Sequence, residues 1–446
     1  MITRLEVDGF KSLRDFAVDL EPFTVFIGPN SAGKSNILEA LALLSRLASH
    51  PIAEAFKNGR GRPSDQFTRH GSETGQSIRL AVESLIYGQY SRGEGPIPND
   101  PSRCRYELRI ERQILPNGTE RLLARDERLR VLRQQDDDWI KSHPEFGDRV
   151  SYKLEGEDLF TSLRNPSAEQ RIIGLPNSYP EELRVPTSHT ALSRVNYIGA
   201  IDLRQDLIDC LSLQLGTAVL GEPSERIDSG EFAGDASNLP TVLARLPPAL
   251  VGEIQADLVT LVPGIAGFHV VPDGDDIRID FEISGGDRMP ARLVSNGTLR
   301  ILALLTALRL EPRPHLVCIE EPENGIYPGR LRALLDLLKD ETARRHDEAD
   351  DLARLDATVR EAGAMGMNSN LLPTQIIATT HSPVFLAALR KQPQQLRFVD
   401  TVRRDGHRVT RVRTVGRSNA TNRDRTTIST REIDLLLHAA QSEAPE

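Results

Sequence analysis

Three short stretches of the chain are uncharged and rich in apolar residues, and they lie far apart. Phe23–Ile27 (FTVFI), His315–Ile319 (HLVCI) and Gln375–Thr380 (QIIATT) each read as a strand covered on both faces. Ile2–Val7 alternates and carries β-branched residues, as a half-buried strand does. Between the first two strands and the middle of the chain the period changes. Ile37, Leu38, Leu41, Leu44 and Ala48 recur at helical spacing, predicting a helix from Lys34 to Leu47. Leu299–Leu310 reads as an apolar helix, and Arg330–Lys339 as another that continues into the charged segment 340–361. Leu396–Thr401 and Arg408–Val415 close the pattern as strands.

The middle is different. Ile78–Ile86, Arg105–Leu115 and Arg121–Leu132 predict an antiparallel meander, with Pro116-Asn117-Gly118 as one of its turns. Residues 51–75 are polar and glycine-rich and read as loop, and 134–190 read as irregular. Residues 201–220 and 238–262 read as helical. Phe268–Val271 and Ile277–Ile283 read as a hairpin around Pro272-Asp273-Gly274-Asp275. No internal repeat is visible, and 340–361 offers only Leu352, Leu355 and Val359 toward a heptad, too few for an extended coiled coil.

Composition narrows the class. At 446 residues, two or three domains are expected at about 150 residues each. Hydrophobic residues at 39% support a sizeable core, while aromatics at 5% leave that core to Leu, Ile, Val and Ala. Cys104, Cys210 and Cys318 have no CxxC spacing, which excludes a disulfide framework and a zinc ribbon and fits a reducing compartment. The amino-terminal residues lack the apolar region of a signal peptide, and no apolar run approaches 18 residues, so a cytoplasmic chain without a membrane partner is expected. A net charge of −9 argues against general polyanion binding and confines any nucleic-acid contact to a local basic patch or a partner.

The chemistry starts at Gly28. Gly28-Pro29-Asn30-Ser31-Ala32-Gly33-Lys34-Ser35 has the form GxxxxGKS, lies between a buried strand and a helix, and runs into Asn36. Glycines let backbone wrap phosphate oxygens, and a helix N-terminus offers N–H groups and a favourable dipole. Lys34 brings a charge toward the β- and γ-phosphates, and the Ser35 hydroxyl is placed for Mg²⁺. Nucleotide binding, with ATP and Mg²⁺ as the cofactors, follows from residues 28–36. The strand at 315–319 ends in Glu320 and Glu321: Glu320 suits a metal carboxylate, Glu321 a base for an attacking water. Ser295-Asn296-Gly297-Thr298 opens the apolar helix at an anion-friendly N-terminus. His381 follows a buried strand at its carboxyl end, where ligands of open α/β sheets bind.

In that order these pieces resemble the ABC-type ATPases of the RecF/SMC/OLD branch. The matching stretches are GFKSLRDFAVDLEPFTVFIGPNSAGKSNILEAL, DASNLPTVLARL, LVSNGTLRILALLTAL, VCIEEPENGIYP and IIATTHSPVFL. The resemblance implies an α/β fold, an ABC-type P-loop head with a mixed sheet and an antiparallel meander, interrupted by a central α+β and helical insertion. Its parts would be residues 1–90 with Walker A, 91–290 with the meander and insertion, and 291–446 with the signature loop, Walker B and switch histidine. Residues 28–35 would be Walker A, and Ser295, Asn296, Gly297 and Thr298 the signature loop that touches the γ-phosphate of a second subunit. Glu320 would be the Walker B acid, Glu321 the catalytic base, Glu323–Ile326 the D-loop and His381 the switch histidine. A metal-side glutamine is implied too, and Gln66 and Gln76 both qualify. The signature reads VSNGT where the branch has LSGGQ, and the Walker B acid is Glu where Asp is usual.

Two heads would sandwich two ATPs, giving a homodimer, with higher oligomers left open. The chain lacks the SMC coiled coil, and the stretch after His381 is too short for the Toprim nuclease of OLD proteins, so a separate effector, a nuclease or toxin, is expected. Stand-alone ATPases of this type resemble components of anti-phage systems such as Septu or PARIS, with RecF-like DNA repair and a low-turnover scaffold as the alternatives. No NKxD motif supports a GTPase. Asp136–Asp138 and Asp273–Asp276 read as solvated turns. DNA enters as an open partner through two arginine zones. One is Arg403, Arg404, Arg408, Arg411, Arg413, Arg417, Arg423, Arg425 and Arg431; the other is Arg121, Arg125, Arg128, Arg130 and Arg133. Each has a solvated, aggregation-resistant strand edge as its rival reading.

Overall fold

The computed structural model describes residues 1–71, 73–86, 102–147, 150, 152, 154–163, 169–174, 182–196, 199–216, 218–227, 230–342, 374–404, 406–416, 426–429, 431–433 and 435. The chain forms two compact units, each assembled from distant segments. One gathers residues 1–21, 30–210 and 398–413, the other 22–29, 211–397 and 414–446.

The first unit is built on an eight-stranded antiparallel sheet. Its order runs Glu182–Pro186, Glu169–Gly174, Asp158–Leu163, Glu120–Val131, Ser102–Ile114, Ser77–Ile86, Ile2–Asp8, Phe16–Asp19. The predicted three-strand meander is its centre. Its 116–118 turn forms with Gly118 at φ 79° and the Gly118 N–H donating to the Leu115 carbonyl at 2.9 Å. Alternate residues Tyr106, Leu108 and Ile110 are buried, the signature of a sheet packed on one face. Gly9 is required where the chain turns: its φ is +87°, and a Cβ there would lie 2.3 Å from the Ser77 carbonyl oxygen. The helix Lys34–Ser49 buries Ile37, Leu38, Leu41, Leu44, Leu47 and Ala48, the stripe that the spacing predicts.

Several stretches differ from expectation. Residues 51–75 are not plain loop: Ile52–Lys57 is a helix, Pro63–Gln66 a 3-10 turn, and Arg69–His70 pairs with Glu73–Thr74. Packing of Phe56 on Phe67, with centroids 5.7 Å apart, outweighs the polar composition. The stretch 134–190 contains three further strands of the sheet. They escape a periodicity reading because each is five or six residues long. The helix predicted over 201–220 ends at Ile208 and gives way to the strand Cys210–Leu213.

The second unit holds the three apolar strands. Leu316–Glu320 pairs in parallel with Gln375–Thr380, which pairs in parallel with Phe23–Ile27. All residues of the last two are buried. Parallel neighbours of this kind need long connections, and here the connections are most of the chain. The apolar helix forms as Asn296–Leu308, and helices Leu239–Arg245 and Pro248–Leu261 fill the span predicted helical. The predicted hairpin is Ile265–Asp273 with Asp276–Ile283. A helix covers 328–342, and its expected continuation to 361 lies outside the described residues. Strands Leu396–Arg404 and His407–Gly416, most of which belong to the first unit, form where predicted. No helix among the described residues is long and apolar enough to cross a membrane.

Candidate functional site

In the second unit the three parallel strands deliver their carboxyl ends side by side, and each end carries a residue singled out by sequence. Phe23–Ile27 leads into Gly28 and Pro29, Leu316–Glu320 into Glu321, and Gln375–Thr380 into His381. Backbone bonds lace these ends together. The Gly28 N–H donates to the Thr380 carbonyl at 3.3 Å, and the Glu321 N–H to the Thr379 carbonyl at 3.1 Å. Glu320 is the half-buried last residue of its strand. Glu321 adopts φ 48°, a left-handed conformation uncommon for a residue with a side chain. Such a conformation persists where surroundings hold it, and here Asn324 Nδ2 donates to Glu321 Oε2 at 2.7 Å. His381 Nδ1 lies 3.4 Å from Glu321 Oε1 and 3.6 Å from Glu323 Oε1.

Glu323 is buried, and burial pushes its carboxyl above the usual range against the pull of its hydrogen bonds. Its Oε1 accepts from the Thr380 hydroxyl at 2.5 Å and from the His381 N–H at 3.1 Å. Sequence reasoning placed Glu323 only in a D-loop and overlooked Arg300. The Arg300 guanidinium loses some basicity to burial, while Glu321 and Glu323 act on it in the opposite sense. Arg300 is on the helix opened by the signature segment. There Ser295 is the N-cap: its hydroxyl accepts from the Thr298 N–H at 3.3 Å, and the two hydroxyls lie 2.9 Å apart. Asn296 is exposed, while Gly297 and Thr298 are buried. A Cβ on Gly297 would lie 2.0 Å from the Gly325 carbonyl oxygen, so only glycine lets these two loops touch.

The rest of the phosphate loop belongs to the first unit. Asn30 and Ser31 are exposed, Ala32 is buried, and Gly33 turns at φ 98° into Lys34. No side chain caps the helix that starts there, which suits an N-terminus meant for an anion. Ser35 and Asn36 follow in its first turn. Three polar side chains brace the loop. The Thr410 hydroxyl donates to the Ala32 carbonyl at 3.1 Å and lies 2.6 Å from Ser12 Oγ, and Asn36 Nδ2 donates to Ser12 Oγ at 2.7 Å. A Cβ on Gly33 would sit 2.0 Å from Thr410 Oγ1. Sequence reasoning missed Ser12 and Thr410, which are 398 positions apart. Gln66 is buried and donates through Nε2 to the Phe56 carbonyl at 2.6 Å; Gln76 is exposed.

The donor set suits a hard cation. The Ser35 hydroxyl, in one unit, and the Glu320 carboxylate, in the other, are oxygen donors of the kind Mg²⁺ accepts one or two of, its remaining positions being met by phosphate and water. No cluster of three or more His, Cys, Asp or Glu able to cage a metal occurs among the described residues.

Some arginines of the two basic zones are paired with acids. Arg411 and Arg413 both reach Asp400 Oδ2 at 2.6 Å, and Arg404 reaches Asp15 at 3.2 Å. Arg128 pairs with Asp158 at 2.6 Å and Arg125 with Glu111 at 3.6 Å. Arg403 and Arg408 are exposed, and Arg417, Arg423 and Arg425 lie outside the described residues. The reading of Asp136–Asp138 as a solvated turn fails at Asp137. That carboxylate is fully buried, caps the helix Asp138–Ser142 through the Ile140 N–H, and pairs with buried Arg103 at 2.8 Å. An ion pair across 34 positions is not visible as local pattern.

Comparison with known proteins points the same way. Residues 23–387 match a family profile described as "AAA domain, putative AbiEii toxin, Type IV TA system". The DNA replication and repair protein RecF of Acidothermus cellulolyticus is 36% identical over 94 residues, 20% of this chain and 25% of that protein. Structural maintenance of chromosomes protein 1 of Schizosaccharomyces pombe is 35% identical over 91 residues, 18% of this chain and 7% of that protein. The chain thus spans a quarter or less of these relatives. A crystal structure of an Smc head bound to the C-terminal winged-helix domain of ScpA aligns over 93% of this chain and 98% of that one, at 15% identity and a TM-score of 0.47. That similarity is too loose to argue from.

Proposed function

The chain belongs to this family of AAA domains, and from that premise we propose that it is a Mg²⁺-dependent ATP hydrolase of ABC type that acts as a switch for a separate effector. The observation that carries the reading is the convergence of Gly28, Glu320 with Glu321, and His381 at the carboxyl ends of adjacent parallel strands. Open parallel sheets bind ligands at that edge.

The roles follow from chemistry. Residues Gly28 to Asn36 cradle the phosphates, with Lys34 as the charge on the β- and γ-oxygens. Glu321 takes the proton of the attacking water, and His381, 3.4 Å from Glu321, steadies the γ-phosphate side. Ser35, Glu320 and one of Gln66 and Gln76 would hold Mg²⁺, whose charge would neutralise the phosphates. The exposed Ser295 and Asn296, with Gly297 and Thr298 behind them, complete the site of a second copy. Hydrolysis then releases a homodimer.

The effector reading draws support from the family description, which names a toxin and a toxin–antitoxin system, and the role we propose for the switch is anti-phage defence. The RecF similarity supports a second reading, a DNA-binding repair ATPase. DNA-stimulated hydrolysis favours repair; a nuclease or toxin recovered with the native complex favours defence.

The deciding experiment is Glu321→Gln. Hydrolysis is expected to fall by about 100-fold or more while ATP binding persists and a dimer accumulates. Turnover at the wild-type rate in E321Q overturns the proposal, as does calorimetry showing no heat when ATP and magnesium are added to the wild type.

A further inference from the structure

We propose that Glu323 is a positioning residue for His381: by holding the Thr380 hydroxyl and the His381 amide on one carboxyl oxygen, it fixes the imidazole beside Glu321. The inference rests on the reading of Glu321 and His381 as the hydrolytic pair.

The geometry is a bracket. Residues 321–324 form one turn, closed by the Asn324 N–H on the Glu321 carbonyl at 3.1 Å. From this turn Asn324 holds the Glu321 carboxylate, and Glu323 reaches across to the neighbouring strand end, where Oε1 takes Thr380 Oγ1 and His381 N. The Thr380 hydroxyl also accepts from the Ser382 N–H at 3.0 Å, so the grip extends over three consecutive residues around the histidine. One short segment therefore sets both members of the pair.

A purely structural cap does not account for the residue chosen. Burying a carboxyl costs free energy that hydrogen bonds must recover. Oε1 recovers much of it, helped by the residue's own backbone N–H, while Glu323 Oε2 is buried with no hydrogen-bond partner. An amide or hydroxyl would cap the same two donors at less cost. The raised proton affinity of the buried Glu323 carboxyl fits this half-satisfied state. A buried carboxyl oxygen left unmatched calls for an explanation, and a positioning role beside His381 supplies one. Glu323 itself touches no reacting atom in this account; it acts through His381.

The test compares Glu323→Leu, which removes the acceptor, with Glu323→Gln, which keeps an acceptor oxygen. E323L is expected to lower kcat about tenfold with the ATP KM within about twofold, and E323Q to restore most of the loss. In an H381A background E323L should cost nothing further. Thr380→Val, which removes one of the two donors and leaves Glu323 in place, should lower kcat about threefold and also become silent in H381A. Amide hydrogen exchange at His381 is a readout independent of turnover: protected in the wild type and E323Q, unprotected in E323L. Wild-type kcat in both E323L and T380V overturns the proposal. So does an undiminished loss in the H381A background, or unchanged exchange at His381. If the wild type hydrolyses no ATP, the hydrolase reading falls, and the His381 exchange still decides whether Glu323 holds that segment.

Discussion

Two buried carboxyls, one in each unit, face the same physical problem and meet it differently. Glu127, in the antiparallel sheet, is enclosed, and burial raises its carboxyl to about 7. Both of its oxygens are matched: Oε1 accepts from the Tyr106 hydroxyl at 2.7 Å and the Leu192 N–H at 2.8 Å, Oε2 from the Ala191 N–H at 2.5 Å. Glu323, at the edge of the parallel strands, has one oxygen doubly occupied and the other unmatched. Asp137, in the first unit, repeats the first pattern, taking Arg103 on both oxygens, the Tyr152 hydroxyl and the Ile140 N–H. Full satisfaction with no ligand needed suits these two carboxylates to a framework role. Leftover polar capacity beside a histidine and a strained glutamate is what chemistry requires.

The sharpest way to break this contrast is Asp137→Ala. It leaves the buried Arg103 guanidinium without its close partner, and a loss of about 3–5 kcal/mol is expected in urea unfolding. The ATP turnover of the molecules that remain folded should be unchanged. A loss under about 1 kcal/mol would show that Arg103 is served by Thr3 and Glu83 instead.

The next effect is a pH dependence. The Glu127 carboxyl titrates higher folded than unfolded, so the folded state binds more protons between about 4.5 and about 7. Its contribution to stability is fully present below the lower value and is lost as pH rises through the upper one. Thermal unfolding of the wild type should weaken from pH 5 to pH 8, by at most about 3 kcal/mol, and Glu127→Gln should flatten that slope because an amide does not titrate. An identical slope in E127Q would assign the dependence elsewhere.

The smallest effect concerns the brace under the phosphate loop. Thr410→Val keeps the shape and removes the hydroxyl that holds the Ala32 carbonyl. Nucleotide affinity is expected to fall about fivefold to tenfold, equivalent to about 1 kcal/mol, with the unfolding midpoint little changed. Equal affinity in calorimetry would make the contact incidental.

The parallel strands were readable in the sequence because they need no partner information: Phe23–Ile27 and Gln375–Thr380 are uncharged and built around apolar residues, and the structure starts and stops them at those residues. The meander was readable from alternation and one Asn-Gly turn. What escaped depends on contact between distant residues. Phe16–Asp19 is four residues long and is a strand only because Ile2–Asp8 lies beside it. The strand Glu169–Gly174 hides its buried Gln170 and Ile172 among charged neighbours. Asp137 looks like surface until Arg103 is placed against it. The candidate site was legible as four motifs: three follow parallel strands, as strand type suggests, and the fourth, Ser295–Thr298, opens a helix. The supporting cast of Thr410, Ser12, Arg300 and Glu323 had no local signature, because hydroxyls and charges acquire such jobs only from their surroundings.

The pairing of Phe23–Ile27 with Gln375–Thr380 also sets a timetable for synthesis. The residue opposite Phe23 is Ile376, so the ribosome adds about 350 amino acids, roughly 20 to 70 seconds of elongation, before the first strand's neighbour exists. Throughout that interval a sticky five-residue ribbon waits without its mate. Late closure of so distant a contact makes folding slow and exposes the nascent protein to misassociation. Any message truncated ahead of codon 375 yields a polypeptide whose P-loop strand has lost the neighbour that anchors it.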